Sequence, residues 1–357
     1  MRLLKLFSIL AISSALLVGC GSQSKNYKIE SITADSPVTD KGNQINSLVI
    51  NMNNNVDGFK ADDFNLTVGK DKIKINNIEE ENNKLTLNFD NIQYSSDFNV
   101  TCSKDKNLNF TRKDVKVDGH ELDKFIEGKN KTLNYRLFVP ENVEGKVPLV
   151  LSLHGAGVTG DDNVSQISTN DNSTGFARED IQKKYPCYVL APQLPDRFVA
   201  KDESPTDKQS AKGWTDEEVQ TALIDIIDEL KDKYKNIDDK RIYITGHSMG
   251  ALGTWGMSVA YPDYFAASAP ISGLWEGDVD TLVNLPMWVF HGETDEIVPI
   301  NKEKDAVDKL IALGGNVKWT QYSADEINKA NAENAHMANI PTYNNPEFYE
   351  WLFSQHK

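Results

Sequence analysis

Apolar and polar residues alternate with a period of two through the first third of the chain. Tyr27–Thr33, Ser47–Met52, Phe64–Val68, Ile73–Ile78, Lys84–Phe89 and Phe98–Cys102 all follow this pattern, with Asn, Asp and Gly between them. Alternation bounded by turn residues is the mark of strands half buried on one face. No helical period interrupts it. Six or seven such strands predict a small β-sandwich over 27–116, a spacer or a binding module with no catalytic content.

The pattern changes after Asp118. Val147–Leu153 is an almost unbroken apolar run, as a strand covered on both faces requires, and Tyr188–Pro192 is similar. Tyr135–Val139, Arg241–Thr245, Phe265–Pro270, Met287–Phe290 and Val317–Gln321 read as further strands. Helical spacing connects them. Val219, Leu223, Ile226, Ile227, Leu230 and Tyr234 form one stripe, behind a capping box read at Thr215 and Glu218. Ser248–Ala260, Lys302–Leu313 and Pro346–Gln355 suit helices, with Gly314 placed to end the second. Strands alternating with helices predict a mostly parallel α/β sheet over 117–357, wrapped on both sides.

The N-terminus reads differently again. Arg2 and Lys5 precede the apolar run Leu6–Val18, which is too short for a comfortable membrane span. Leu17-Val18-Gly19-Cys20 closes it, and polar residues 21–26 follow as a tether. A basic start, an apolar stretch and a small-residue site predict a secretory signal over 1–20. The closing four residues resemble the lipobox of bacterial lipoproteins. That resemblance implies lipidation at Cys20 and an extracytoplasmic, membrane-anchored protein whose partner is membrane lipid. Cys102 and Cys187 fall in different predicted domains and are read as buried free thiols. The net charge of -15 excludes nucleic acid as a natural partner and does not repel a neutral substrate such as a sugar ester.

Candidate chemistry centres on Gly246-His247-Ser248-Met249-Gly250, which follows one predicted strand and opens one predicted helix. A serine on that turn is exposed at the sheet edge, with helix N–H groups behind it. Ser248 is therefore the candidate nucleophile. The N–H of Met249 is one candidate oxyanion donor. The other is sought in Leu153-His154-Gly155-Ala156-Gly157, at Ala156 with Gly155 as the neighbouring choice. His154 precedes the nucleophile and is read as structural. The expected chain order of serine, acid, histidine selects Asp295 from the loop His291–Pro299, over Glu293 and Glu296. It selects His336 over the penultimate His356. Gln193 is a candidate for positioning substrate, and Trp214 and Trp275 fit either a pocket or the core. Asp161, Asp162 and Asp171 lack convincing ligand spacing, so neither metal nor organic cofactor is expected.

From about residue 130 onward the chain resembles α/β-hydrolase esterases of the polyhydroxybutyrate-depolymerase and feruloyl-esterase-like group, which includes predicted peptidases. The resemblance rests on Tyr135–Pro140, Leu153–Gly157, Ala191–Gln193, Gly246–Gly250, His291–Asp295 with Val298-Pro299, and Asn345–Leu352. It departs at 322–335, a longer Asn- and Ala-rich approach to His336. It implies the α/β-hydrolase fold, preceded in some members by an immunoglobulin-like domain. It also implies a serine carboxylesterase acting on short acyl or carbohydrate-linked esters of acetyl or feruloyl type. A serine peptidase on the same fold and a non-catalytic surface binding protein are the alternatives.

Overall fold

The computed structural model describes residues 26–199 and 212–357. The predicted signal segment 1–20 with Cys20, and residues 21–25 of the predicted tether, lie outside the described residues.

Residues 29–118 build two sheets. One has five strands in the order Ile75–Glu81, Lys84–Gln93, Gln44–Met52, Ile29–Asp35, Lys116–Asp118. The other has four, in the order Asp71–Ile73, Phe64–Val68, Phe98–Cys102, Phe110–Thr111. Their alternating apolar residues meet in one core that includes Leu48, Ile50, Leu85 and Leu87 from the first sheet and Phe64, Leu66, Phe98 and Val100 from the second. The alternation marks the long strands. Phe110–Thr111 and Lys116–Asp118 are too short to show a period, and the sequence does not announce them.

Residues 125–322 form an eight-stranded sheet. Its strands are β1 (Phe125–Lys129), β2 (Asn134–Phe138), β3 (Val147–Leu153), β4 (Tyr188–Gln193), β5 (Ile237–His247), β6 (Ala267–Ile271), β7 (Met287–Gly292) and β8 (Val317–Tyr322). They lie in the order β1-β2-β4-β3-β5-β6-β7-β8. The first three neighbours pair antiparallel at β1–β2 and β2–β4, and every later pair is parallel. This is the α/β-hydrolase fold.

All seven residues of β3 are buried, because alternate side chains serve opposite cores. Leu149, Leu151 and Leu153 join one core with helix α1 (Glu217–Lys233), through Val219, Leu223, Ile226, Ile227 and Leu230. Burial of such aliphatic side chains stabilises by roughly 1.5–3 kcal/mol each. Val150 faces the other core with Phe348, Tyr349 and Leu352 from Pro346–Ser354. The start of α1 corrects the sequence reading. Its N-cap is Asp216, whose carboxylate accepts the Glu218 N–H, while Thr215 ends the short preceding helix Lys212–Thr215. An aspartate acceptor one residue closer to the stripe displaces the threonine. Cys102 and Cys187 are buried and free. Among the described residues, no helix is long and apolar enough to cross a membrane.

Candidate active site

Ser248 stands between the end of β5 and helix α2 (Met249–Ala260), with φ 60° and ψ -119°. A non-glycine residue there is strained, and the surroundings hold it in place. Its N–H donates to Ile271 of β6 at 2.9 Å. The flanking glycines are required by space. A Cβ at Gly246 would lie 2.4 Å from the Gly250 carbonyl oxygen, and one at Gly250 would lie 2.1 Å from that of Leu153. The turn therefore packs backbone against backbone, and the serine is presented above it.

Three side chains from separate loops converge. The Ser248 Oγ lies 2.9 Å from His336 Nε2, and His336 Nδ1 lies 2.7 Å from Asp295 Oδ2. The other carboxylate oxygen, Oδ1, accepts the N–H groups of Ile297 and Val298, each at 2.9 Å. Asp295 follows β7 by three residues. Burial pushes its carboxyl up, but bonds from His291 and His336 outweigh this and hold it well below the usual carboxylate range. The imidazole of His336 is thus oriented at one nitrogen and offers the other to the serine.

His336 sits on a short 3₁₀ turn, Ala335–Met337, anchored from three sides. Its N–H donates to the Asn334 side chain at 3.0 Å. Its carbonyl accepts from His247 Nε2 at 2.7 Å. The preceding residue rests on the end of β7, where a Cβ at Gly292 would lie 2.1 Å from the Ala335 carbonyl oxygen. His247 is missed by sequence reasoning, because the middle positions of the Gly-x-Ser-x-Gly pattern carry no stated requirement. Burial pulls its pKa down to about 3, so it stays neutral and keeps one fixed N–H. The approach to His336 also differs from a plain loop. Ser323 and Glu326 form a capping box, and Ala324–Lys329 is a helix.

The loop after β3 lies against the nucleophile. A Cβ at Gly155 would fall 3.6 Å from that of Ser248. Ala156 begins a 3₁₀ turn, Ala156–Val158, and Met249 begins α2. First-turn N–H groups have no acceptor within their own helix, which leaves them to face a ligand. His154 does not enter the site. Its Nε2 accepts the Leu194 N–H at 2.9 Å and its Nδ1 donates to the Gly155 carbonyl at 2.7 Å. Burial pulls its pKa down to about 4, so it is a neutral brace between loops.

The pocket candidates separate. Gln193 is fully buried; its Oε1 accepts the Asn163 N–H at 2.7 Å and its Nε2 donates to Asp162 at 2.9 Å. It ties down the 158–163 loop and offers no surface to substrate. Trp214 is also fully buried and donates its indole N–H to the His154 carbonyl at 3.0 Å, which makes it core. Trp275 is half-buried and stacks at 6.5 Å on Trp255, so it alone of the three reaches the surface. Among the described residues, Asp35, Asp118 and His120 bring three potential ligand atoms within 4.8 Å of one another. They are exposed, and His120 is already paired with Asp35 at 2.6 Å.

Comparison with known proteins finds relatives over this part of the chain. Residues 137–339 match the Phospholipase/Carboxylesterase family. A solved thermostable esterase is 30% identical, with a TM-score of 0.72, covering 92% of this chain and 100% of that one. Poly(3-hydroxyalkanoate) depolymerase C of Paucimonas lemoignei is 28% identical over 149 residues, 39% of this chain and 31% of its own. A probable acetylxylan esterase A of Aspergillus fumigatus is 26% identical over 154 residues, 43% and 38% of the two chains. The match thus spans roughly a third of the length of these curated relatives.

Proposed function

Since this chain belongs to the phospholipase/carboxylesterase family, we propose that it is a serine carboxylesterase working through Ser248, His336 and Asp295. The observation that carries the reading is the continuous hydrogen-bonded chain from Ser248 Oγ through His336 to Asp295 Oδ2. His336 Nε2 takes the hydroxyl proton as Ser248 Oγ attacks an acyl carbonyl. Asp295 stabilises the imidazolium that results. The Met249 and Ala156 N–H groups, with Gly155 beside them, receive the developing oxyanion. One such donor is worth ~10²–10³ in rate. The imidazolium then protonates the departing alcohol. Water, activated by the same histidine, releases the acyl group from Ser248 and restores the enzyme. The substrates proposed are short acyl or carbohydrate-linked esters, of acetyl or feruloyl type. The names of the acetylxylan esterase and depolymerase relatives support that class.

Hydrolysis of p-nitrophenyl acetate measured beside peptide amides tests the reaction class. Ester turnover without amide turnover is expected; the reverse would make the protein a peptidase. A fluorophosphonate should label Ser248 in the folded protein. Lack of labelling would favour a binding protein. His336→Ala should abolish turnover and leave the circular dichroism unchanged.

The same proposal extends to location. Leu17–Cys20 supports lipidation at Cys20 and an extracytoplasmic, membrane-anchored protein. Incorporation of labelled palmitate, lost in Cys20→Ser, tests it. The paired sheets over 29–118 support an immunoglobulin-like module, with carbohydrate binding as its first assay.

A further inference from the structure

The acid of the triad has its own support, which the mechanism above does not use. His291 is the penultimate residue of β7 and Glu303 lies on helix α3 (Asn301–Ala312), and both side chains are fully buried. His291 Nε2 is 2.9 Å from the Val298 carbonyl oxygen and 3.2 Å from Asp295 Oδ2. Both of those atoms only accept, so Nε2 carries a proton. His291 Nδ1 is 2.7 Å from Glu303 Oε2. That oxygen also accepts the Gly273 N–H at 3.0 Å, and Oε1 accepts the Trp255 indole N–H at 2.8 Å. Both carboxylate oxygens thus face fixed N–H donors and act as acceptors. The shared proton therefore rests on His291 Nδ1, and the ring is a cation between two anions.

We propose that Glu303 and His291 are positioning residues of the triad: Glu303 holds His291 as an imidazolium, and its Nε2–H fixes Asp295 behind His336. The pair belongs to the esterase reading and deepens it. The charge of Glu303 balances the cation beside Asp295, so the cation does not cancel the charge that His336 needs when it takes the serine proton. With Glu303 the buried set Glu303, His291 and Asp295 keeps one net negative charge. The ionisation is consistent with the surroundings. Burial lowers the His291 pKa, but bonds to Asp295 and Glu303 outweigh it and bring it to about 10. Of the ionisable groups beside the pair, His336 sits on its 3₁₀ turn and His247 ends β5, the latter neutral. The ring of Trp319 on β8 covers His291 at 6.3 Å and contributes no charge. The arrangement also ties the acid to the nucleophile, because Trp255 belongs to α2, the helix that Ser248 opens.

The test uses the described protein and its Glu303→Gln variant. Nitrogen-15 spectra of histidine-labelled wild type should show both His291 ring nitrogens protonated from about pH 6 to 9, above the ordinary histidine range. A neutral His291 there overturns the proposal, and this reading needs no variant. In Glu303→Gln the doubly protonated signature should disappear within that range. The kcat for p-nitrophenyl acetate should fall roughly 10- to 100-fold, the effect of a misplaced catalytic group, with KM changed about twofold or less. Glutamine leaves the Trp255 or the Gly273 donor facing an amide N–H, so thermal stability falls too, and rates are taken per mole of folded protein. A variant that loses stability but keeps wild-type kcat makes the pair purely structural and overturns the proposal. Wild type that turns over no ester defeats the esterase reading instead, while the His291 spectrum still reports on the pair.

Discussion

Asp295→Asn isolates what the triad acid does, because four donors converge on one carboxylate. Oδ1 accepts two backbone N–H groups, from Ile297 and Val298 at 2.9 Å each. Oδ2 accepts from His336 at 2.7 Å, with His291 Nε2 at 3.2 Å. Asparagine must turn its amide NH₂ toward one of these pairs. The backbone donors cannot change their protonation, and each buried donor left unpaired costs about 1–3 kcal/mol. The imidazole of His336 can change. The oxygen of the amide will therefore face Ile297 and Val298, and its NH₂ will face His336 Nδ1. His336 then accepts at Nδ1 and carries its proton on Nε2, pointing at Ser248. In that tautomer it has no lone pair for the serine proton. Triads with the wrong tautomer lose ~10⁴ in kcat. At 1.36 kcal/mol for each tenfold change, that is about 5 kcal/mol of transition-state stabilisation. Initial rates on p-nitrophenyl acetate, with folded protein counted by circular dichroism, will show the loss in kcat with KM nearly constant. A variant within tenfold of wild-type kcat would mean that Asp295 does not set the His336 tautomer, and the argument from converging donors would fail.

Two other perturbations bear on the same framework. Gly250→Ala puts a methyl group 2.1 Å from the Leu153 carbonyl oxygen, where only backbone could yield. Overpacking of this kind costs about 1–3 kcal/mol or more, and both thermal midpoint and fluorophosphonate labelling should drop; unchanged labelling would show that the turn tolerates displacement. Asp171 is buried, and burial with the nearby Asp40 charge raises its pKa to about 7 against the pull of Arg178. Its unfolded pKa is about 3.9. Between those values the native state holds a proton that the unfolded chain has lost, so this group makes stability fall as pH rises from about 4 to 7. Asp171→Asn should flatten that slope and raise the denaturation midpoint more at pH 8 than at pH 4; an equal shift at both would refute the assignment.

Much of this architecture is written locally. The unbroken run Val147–Leu153 betrays a strand with a core on each side, and the α1 stripe betrays its buried face. The Gly-x-Ser-x-Gly turn is legible because its glycines answer a short-range demand: backbone within 2.4 Å of where a Cβ would stand. What was hidden depends on contacts between distant residues. Nothing near His247 announces that its ring will hold the carbonyl of His336, 89 positions later. Trp214 looked equally suited to pocket or core until its indole N–H found His154, 60 positions earlier. Gln193 looked free because its partners, Asn163 and Asp162, lie in a loop with no periodicity to read. The β1 strand, Phe125–Lys129, escaped notice because an edge strand with one buried residue shows no alternation.

The resting place of Ala335 on Gly292 changes the meaning of the long stretch before His336. Landing is fixed at its end, by that backbone contact and by the His247 bond, and not by the path from β8. Between Tyr322 and Asn334 the helix Ala324–Lys329 holds Ile327 in the core, so added length is cheap only in the exposed turn after that helix, where doubling a loop costs about 0.6 kcal/mol in closure entropy. That turn is a tolerant insertion site. Relatives could lengthen, shorten or decorate it, and so reshape the surface beside the cleft, without moving the histidine.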